Sequence, residues 1–417
     1  MDVAQRRARL ARRHHLAAEA LADAPETVAA DLVAVHSTDP ASVYQELWAR
    51  LREGDVATVS DALYERRSLI RLLAMRRTVF VTTRELAPVV QAACARDVAA
   101  RERRKLLQWL AEAGVSGGSG GSGAVDVESW LRELEEVALA ALVARGEASA
   151  AELAEDDARL RLRVTVGRGT RFEGRTQLSS RVLLLLAAEG RAVRGRPRGS
   201  WASTQYRWAP MAAWCAGWCD GGLPQLPAEQ AEVELAARWL RAHGPATADD
   251  LRWWTGWTAR QVRRALTGVA PVEVELDGGT GIALGDDLAP EPQVRPWGAL
   301  LPPLDATAMG WRHRDWFLGP HAARVFDAAG NAGPTAWWDG RVVGGWAQRP
   351  DGEIVVTLLD DVGSDAAAVL DQQAEALAAR MGPVRMSARA RGRTDVERAA
   401  LGQAGTGPDG PGPDEAC

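Results

Sequence analysis

Apolar and polar positions along the chain follow a helical period in blocks, and the blocks recur. In residues 228–276, "AEQAEVELAARWLRAHGPATADDLRWWTGWTARQVRRALTGVAPVEVEL", Leu235, Trp239 and Leu240 fall on one helical face, and the run stops at His243-Gly244-Pro245. Thr247 is placed to cap a short helix carrying Leu251 and Trp254. Gly256 turns the chain, and Thr258 caps a third helix, "ARQVRRALTGV". "PVEVEL" then alternates with period two, as a strand does. Helix, turn, two helices and a β-ribbon make a winged-helix pattern. A degenerate copy fills about 128–214, with helices in "ESWLRELEEVALAALVARG", "SAAELAE" and "SSRVLLLLAAEG". Its hairpin, "RAVRGRPRGSWASTQYRWAP", is expected to turn near Pro197–Ser200. An earlier copy, about 10–90, ends in the strand "RRTVFVTT".

Within that first copy, "LVAVHSTDPASVYQELWARL" (32–51) reads as two packed helices around a polar knot, His36-Ser37-Thr38-Asp39. Asp39 suits an N-cap and Pro40 the first helical position. His36 suits a helix C-terminus, where an imidazole meets the last carbonyls. After residue 295 the pattern changes. "WGALLPPLDATAMGWRHRDW", "TAWWDGRVVGGWAQ" and "GEIVVTLLD" read as strands with turns, and "SDAAAVLDQQAEALAARMG" reads as an amphipathic helix. The predicted fold class is α+β, three tandem winged helices followed by a β-rich α/β domain. The boundaries are 1–114, a Gly/Ser linker at 115–124, then 125–222, 223–292 and 293–396. The Gly/Pro-rich tail 397–417 has little to bury and is expected to be disordered.

No stretch approaches 18 uninterrupted apolar residues, so no membrane span is expected. The start, "MDVAQRRARLARRHH", lacks the apolar core of a signal peptide. Four scattered cysteines suit a reducing cytoplasm. Cys215-x3-Cys219 has no second ligand pair, so neither zinc nor any other cofactor is expected. The formal net charge of −5 argues against a nucleic-acid partner until its distribution is considered. Between Arg159 and Trp208 stand twelve arginines, opposed only by Glu173 and Glu189. Arg194, Arg196 and Arg198 lie at period two, which puts them on one face of the hairpin strand. A one-sign ribbon of this kind suits DNA phosphate, with Arg207, Arg168 and Arg171 adding to it. The bland alternative is an edge strand kept from aggregating by charge. Trp201, near the tip, is placed to stack beside a damaged base or to pack the hairpin down. Trp253, Trp254 and Trp257 are expected in the core, and Trp337, Trp338 and Trp346 in sheet packing.

"LWARL" after an Asp-Pro, then "MRRTVFV", "AHGPATADDLRWWTGW", "LLPPLD" and "GN…PTAWWDGRVVGGW" occur in an order that resembles the bacterial tandem winged-helix DNA-binding proteins. That family includes the AlkZ-like DNA glycosylases, which remove bulky alkylated bases and unhook interstrand crosslinks. The resemblance covers about residues 10–390. It implies three winged helices forming a C-shaped cleft around duplex DNA. It also implies that the family's catalytic motif, Gln-apolar-Gln or Gln-apolar-Asp just before Asp-Pro, falls on His36, Ser37 and Thr38. Both family side chains are therefore replaced here. An imidazole and a hydroxyl can still hold a water, His36 as base or acceptor and Thr38 as its orienting partner. Asp39 is placed to stabilise positive charge developing on the sugar. The expected function is that of a monomeric, cytoplasmic, nucleoid-associated glycosylase acting on alkylated duplex DNA, in repair or in self-resistance to a genotoxin. The alternatives are a non-catalytic winged-helix DNA-binding protein and, third, a protein–protein adaptor.

Overall fold

The computed structural model describes residues 1–115, 126–170, 173–386 and 392–403. Most of the expected linker, Arg171 and the chain beyond 403 lie outside the described residues.

The first unit begins with α1 (Val3–Arg13), α2 (Pro25–Asp31) and α3 (Pro40–Trp48). A three-stranded antiparallel sheet lies among them in the order β1 (Val35–His36), β3 (Val79–Thr83), β2 (Leu69–Leu73). His36 is thus on a short strand and not at a helix C-terminus. Val33 takes φ +68°, a conformation a β-branched residue rarely adopts, and ends the turn after α2. The chain then pairs, Val35 with Val81 and His36 with Phe80. The Asp39 carboxylate accepts the Ala41 N–H at 3.1 Å, and Pro40 opens α3, so the break at Asp-Pro is the expected helix start.

The second unit has α4 (Arg96–Glu112), α5 (Val127–Arg145), α6 (Ala150–Asp156) and α7 (Leu178–Ala188). Leu106 and Leu110 of α4, which the sequence assigns to the first unit, enter the core of the second. An extra hairpin, β4 (Arg163–Val166) with β5 (Gly174–Gln177), precedes α7. The basic hairpin is β6 (Ala192–Pro197) with β7 (Tyr206–Pro210).

The third unit follows its expectation closely. It comprises α8 (Ala228–His243), α9 (Ala248–Thr255) and α10 (Ala259–Val269), then β8 (Val272–Leu276) and β9 (Gly279–Ala283). Thr247 and Thr258 each form reciprocal caps, with Asp250 and Gln261, and Gly256 turns at φ +74°.

The C-terminal sheet runs β10 (Gly298–Leu301), β11 (Thr335–Trp338), β12 (Arg341–Gln348), β13 (Ile354–Leu358), all antiparallel, with α11 (Ser364–Met381) against it. Residues 302–314, expected as strand, are turns. Trp311 donates its ring N–H to the His243 carbonyl, and Asp250 accepts the backbone N–H groups of Arg312 and His313. Those contacts fix the segment without a neighbouring strand. A last helix, α12 (Asp395–Ala400), caps on Thr394 and buries Val396 and Ala400, so the chain is ordered past 397, where the tail was expected to begin.

The first and third units and the C-terminal domain share one apolar core, which Val193 and Ala209 of the basic hairpin and Trp214 also enter, and most of the second unit packs around a core of its own. Trp254, Trp257, Trp337 and Trp346 are buried as expected. Trp253 is instead half-buried, with the guanidinium carbons of Arg76 and Arg314 over its ring at 4.1 and 4.7 Å. Among the described residues no helix is long and apolar enough to cross a membrane.

Two of the sequence fragments that carry the resemblance meet in this shared core. Arg50, of "LWARL", and Asp305, of "LLPPLD", are both fully buried and joined at 2.7 and 2.9 Å. Arg50 also donates to Thr307 Oγ1 at 2.8 Å and to the Glu46 carbonyl at 2.8 Å. Beside them His14 stacks on Trp311 and His243 on Trp239. Burial holds both imidazoles neutral, pushing His243 down to about 3 and His14 well below its ordinary 6.5. Below pH 6.5 the unfolded chain binds protons that the folded chain refuses. Stability is therefore full above 6.5 and is lost as pH falls toward 3. Between pH 7 and pH 5 His243 alone is expected to remove about 2 kcal/mol. Burial raises the Glu46 carboxyl well above the carboxylate range, which acts in the opposite sense over the same interval. Comparing the pH dependence of urea unfolding for wild type and His243→Phe isolates the histidine. Parallel curves would rule the effect out.

Candidate nucleic-acid interface and active site

Three consecutive residues of the polar knot point two ways, because side chains alternate across a strand. Ser37 is fully buried on one face. His36 and Thr38 share the other. His36 is 3% exposed, its ring edge-on to Phe80 at 5.3 Å. Thr38 is exposed, with Oγ1 3.5 Å from His36 Nε2 and 3.4 Å from the Val79 N–H. The Glu46 carboxyl group holds this strand from behind, its oxygens accepting the His36 N–H at 3.3 Å and the Ala306 N–H at 2.9 Å. Asp39 is half-buried, and its carboxylate is engaged in capping.

On the Ser37 face lies a cluster the sequence reading missed. Arg71, buried in β2, donates Nε to Ser37 Oγ at 2.9 Å and Nη1 to Tyr64 Oη at 2.7 Å. Its guanidinium also lies 5.3 Å from the Tyr64 ring and 5.9 Å from the Tyr206 ring. Tyr44 faces the same charge, so all three tyrosines of the chain gather here. The available signal was one arginine inside the apolar run "LIRLL". Among the described residues Arg71 meets no carboxylate, and a buried guanidinium so placed needs aromatic faces and hydroxyls to offset its desolvation. Burial pushes the Tyr206 hydroxyl up to about 12, while Arg71 and Arg194 pull the other way. Tyr206 Oη is buried without a hydrogen-bond partner among the described residues.

Tyr206 belongs to the basic hairpin, so this cluster joins the knot to the arginine ribbon. The hairpin differs from the expected one. Arg194 pairs with Trp208 but Pro197 with Tyr206, so β6 carries one residue more than β7 across this interval. A bulge of this kind cancels the strict alternation. Arg194 and Arg198 line a cavity of about 520 Å³ with Arg181, Tyr206 and Trp208. Arg196 is not part of that lining. It lies over the Tyr64 ring at 4.7 Å and pairs with Glu65 at 2.6 Å. The three arginines therefore do not form one row.

Arg194 is nearly buried over Tyr206 and Trp208. Arg198 and Arg207 both reach Glu152, and Arg207 also meets Glu147. Arg168 is exposed, 3.8 Å from Glu112. Arg171 lies outside the described residues. Much of the local excess of positive charge is thus met by carboxylates of neighbouring helices. Trp201 is half-buried, its ring centroid 5.0 Å from Tyr44 and 5.2 Å from Trp48, so it pins the hairpin tip to α3.

The structure brings a strand-end imidazole–hydroxyl pair, a capping carboxylate and a basic hairpin into one region joined through Ser37, Arg71 and Tyr206. The family described as "DNA glycosylase AlkZ-like" matches residues 29–380. The chain belongs to that family. Among solved structures, the Streptomyces sahachiroi DNA glycosylase AlkZ is similar over 90% of this chain and 95% of that one, with a TM-score of 0.65 at 22% identity. At that identity the likeness establishes the shared fold. No curated protein matches the chain.

Proposed function

We propose that this AlkZ-like protein binds duplex DNA between three winged-helix units and hydrolyses the N-glycosidic bond of a bulky N7- or N3-alkylated purine. His36 and Thr38 position the water, and Asp39 stabilises positive charge on the sugar. The carrying observation is that Thr38 is an exposed residue with Oγ1 3.5 Å from His36 Nε2, on a segment whose other face is tied to the basic hairpin. A cationic alkylated base departs as a neutral leaving group. Water then bonds to the anomeric carbon and loses its proton to the imidazole. The protein has only to orient that water and stabilise the oxocarbenium-like state. Arg194, Arg196, Arg198, Arg207, Arg168 and Arg171 hold phosphate, and Arg196, Arg198, Arg207 and Arg168 exchange their intramolecular carboxylates for it. Such a protein works as a cytoplasmic monomer in repair or self-resistance.

The test is incubation with duplexes carrying alkylated purines, followed by alkaline cleavage at abasic sites. Strand breaks that depend on protein and adduct support the reading, and their absence with every adduct overturns it. One observation favours the second reading, a DNA-binding protein that no longer excises: His36 is only 3% exposed. That reading predicts salt-sensitive duplex binding with no breaks.

A further inference from the structure

The turn between β2 and β3 carries adjacent arginines, Arg76 and Arg77, at φ +52° and +64°. Glycine occupies this region freely, whereas a side chain there costs energy that the surroundings must supply. The two neighbours differ. Arg77 meets Glu102 at 2.7 Å. Arg76 has no carboxylate partner among the described residues, and its Nε is buried without a hydrogen bond. Arg314 reaches the same ring as Arg76, that of Trp253: it forms no ion pair among the described residues, feels Asp250 only through space, gives Nε to the Trp311 carbonyl and also lies over the Phe326 ring at 4.3 Å. Both guanidiniums lie over the half-buried Trp253 ring. The nearby acids are engaged elsewhere. Asp249 pairs with Arg312 and His313, and Asp250 accepts three backbone N–H groups, from Thr247, Arg312 and His313, and the Thr247 hydroxyl.

Two half-buried cations in mutual repulsion, held by a strained turn and an aromatic ring, form a site that an anion completes. Its position is informative. Arg76 lies three residues before Val79, whose N–H meets Thr38 Oγ1. On the same face His36 packs on Phe80, and Phe80 approaches Trp254, the neighbour of Trp253. We propose that Arg76 and Arg314 receive a backbone phosphodiester of duplex DNA beside Thr38, a phosphate site separate from the basic hairpin. Bidentate guanidinium contacts to phosphate oxygens would then fix the strand relative to the His36–Thr38 pair. This inference rests on the DNA-binding part of the proposed function.

The experiment measures anisotropy of a fluorescein-labelled undamaged duplex across a sodium chloride series, for wild type, Arg76→Gly, Arg314→Gln and Arg314→Lys. Glycine suits the left-handed turn, so Arg76→Gly is expected to keep or raise Tm. The glycine and glutamine variants are each expected to bind more weakly, with the slope of log K against log salt shallower by about one unit. Arg314→Lys retains the charge without the bidentate fork, so it is expected to keep the wild-type salt slope and to lose less affinity than Arg314→Gln. Wild-type slopes in Arg76→Gly and Arg314→Gln, with wild type binding duplex, overturn this site and leave the DNA-binding reading intact. Equal loss in Arg314→Lys and Arg314→Gln also overturns it, since charge would then not be the cause. Failure of the wild type to bind duplex overturns both.

Discussion

The His36→Ala/Thr38→Ala double variant is expected to excise an alkylated purine at least about 10²-fold more slowly than wild type, with duplex affinity unchanged. The segment from His36 to Thr38 divides labour between its two faces. His36 and Thr38 share one face, whereas the hairpin is tied to the opposite face through Ser37 and Arg71. Removing the pair leaves that attachment, the Asp39 cap and the backbone bond from His36 to Glu46 in place. Single-turnover excision and anisotropy on the same preparations separate the two effects. Full excision by the double variant would remove the catalytic role. Parallel loss of binding and excision would move the pair from chemistry to DNA contact.

Replacing Asp305 by alanine is expected to cost about 3–5 kcal/mol of folding stability, because it strands the Arg50 guanidinium in the core. Both side chains have no exposed surface, and the carboxylate receives two guanidinium bonds and the Thr307 N–H. A loss of this size is a large share of a typical domain's 5–15 kcal/mol. The Arg50→Met/Asp305→Leu variant removes both charges and is expected to recover most of it. Urea unfolding of the three proteins measures the coupling. A single variant within about 1 kcal/mol of wild type would mean that water reaches Arg50.

Local signals were legible wherever local chemistry decided the structure. Thr247, Gly256 and Thr258 set the boundaries of α9 and α10 through caps and a left-handed turn, and Asp39-Pro40 started α3. The sequence was misleading where distant partners decided. His36 reads as a helix end until Phe80, 44 positions on, pairs with it as a strand. Arg194, Arg196 and Arg198 look equivalent at period two, and a bulge visible only in the pairing with β7 separates them. Arg71, Tyr64 and Tyr206 carry no motif, since what unites them is a buried charge seeking aromatic faces. Trp253 looks like core beside Trp254, and two arginines from other parts of the chain make its environment ionic.

The Arg50–Asp305 pair also bears on how such a sequence can change over time. Its halves stand 255 positions apart. A drifting lineage that loses one half first must pass through a protein with an uncompensated buried charge. That intermediate is close to unfolding, so the two positions can change only together or hardly at all. Neighbouring surface arginines face no such barrier and can be exchanged one by one. An otherwise divergent chain would then keep small islands such as "LWAR" and "LLPPLD" even as residues outside such buried pairs are replaced.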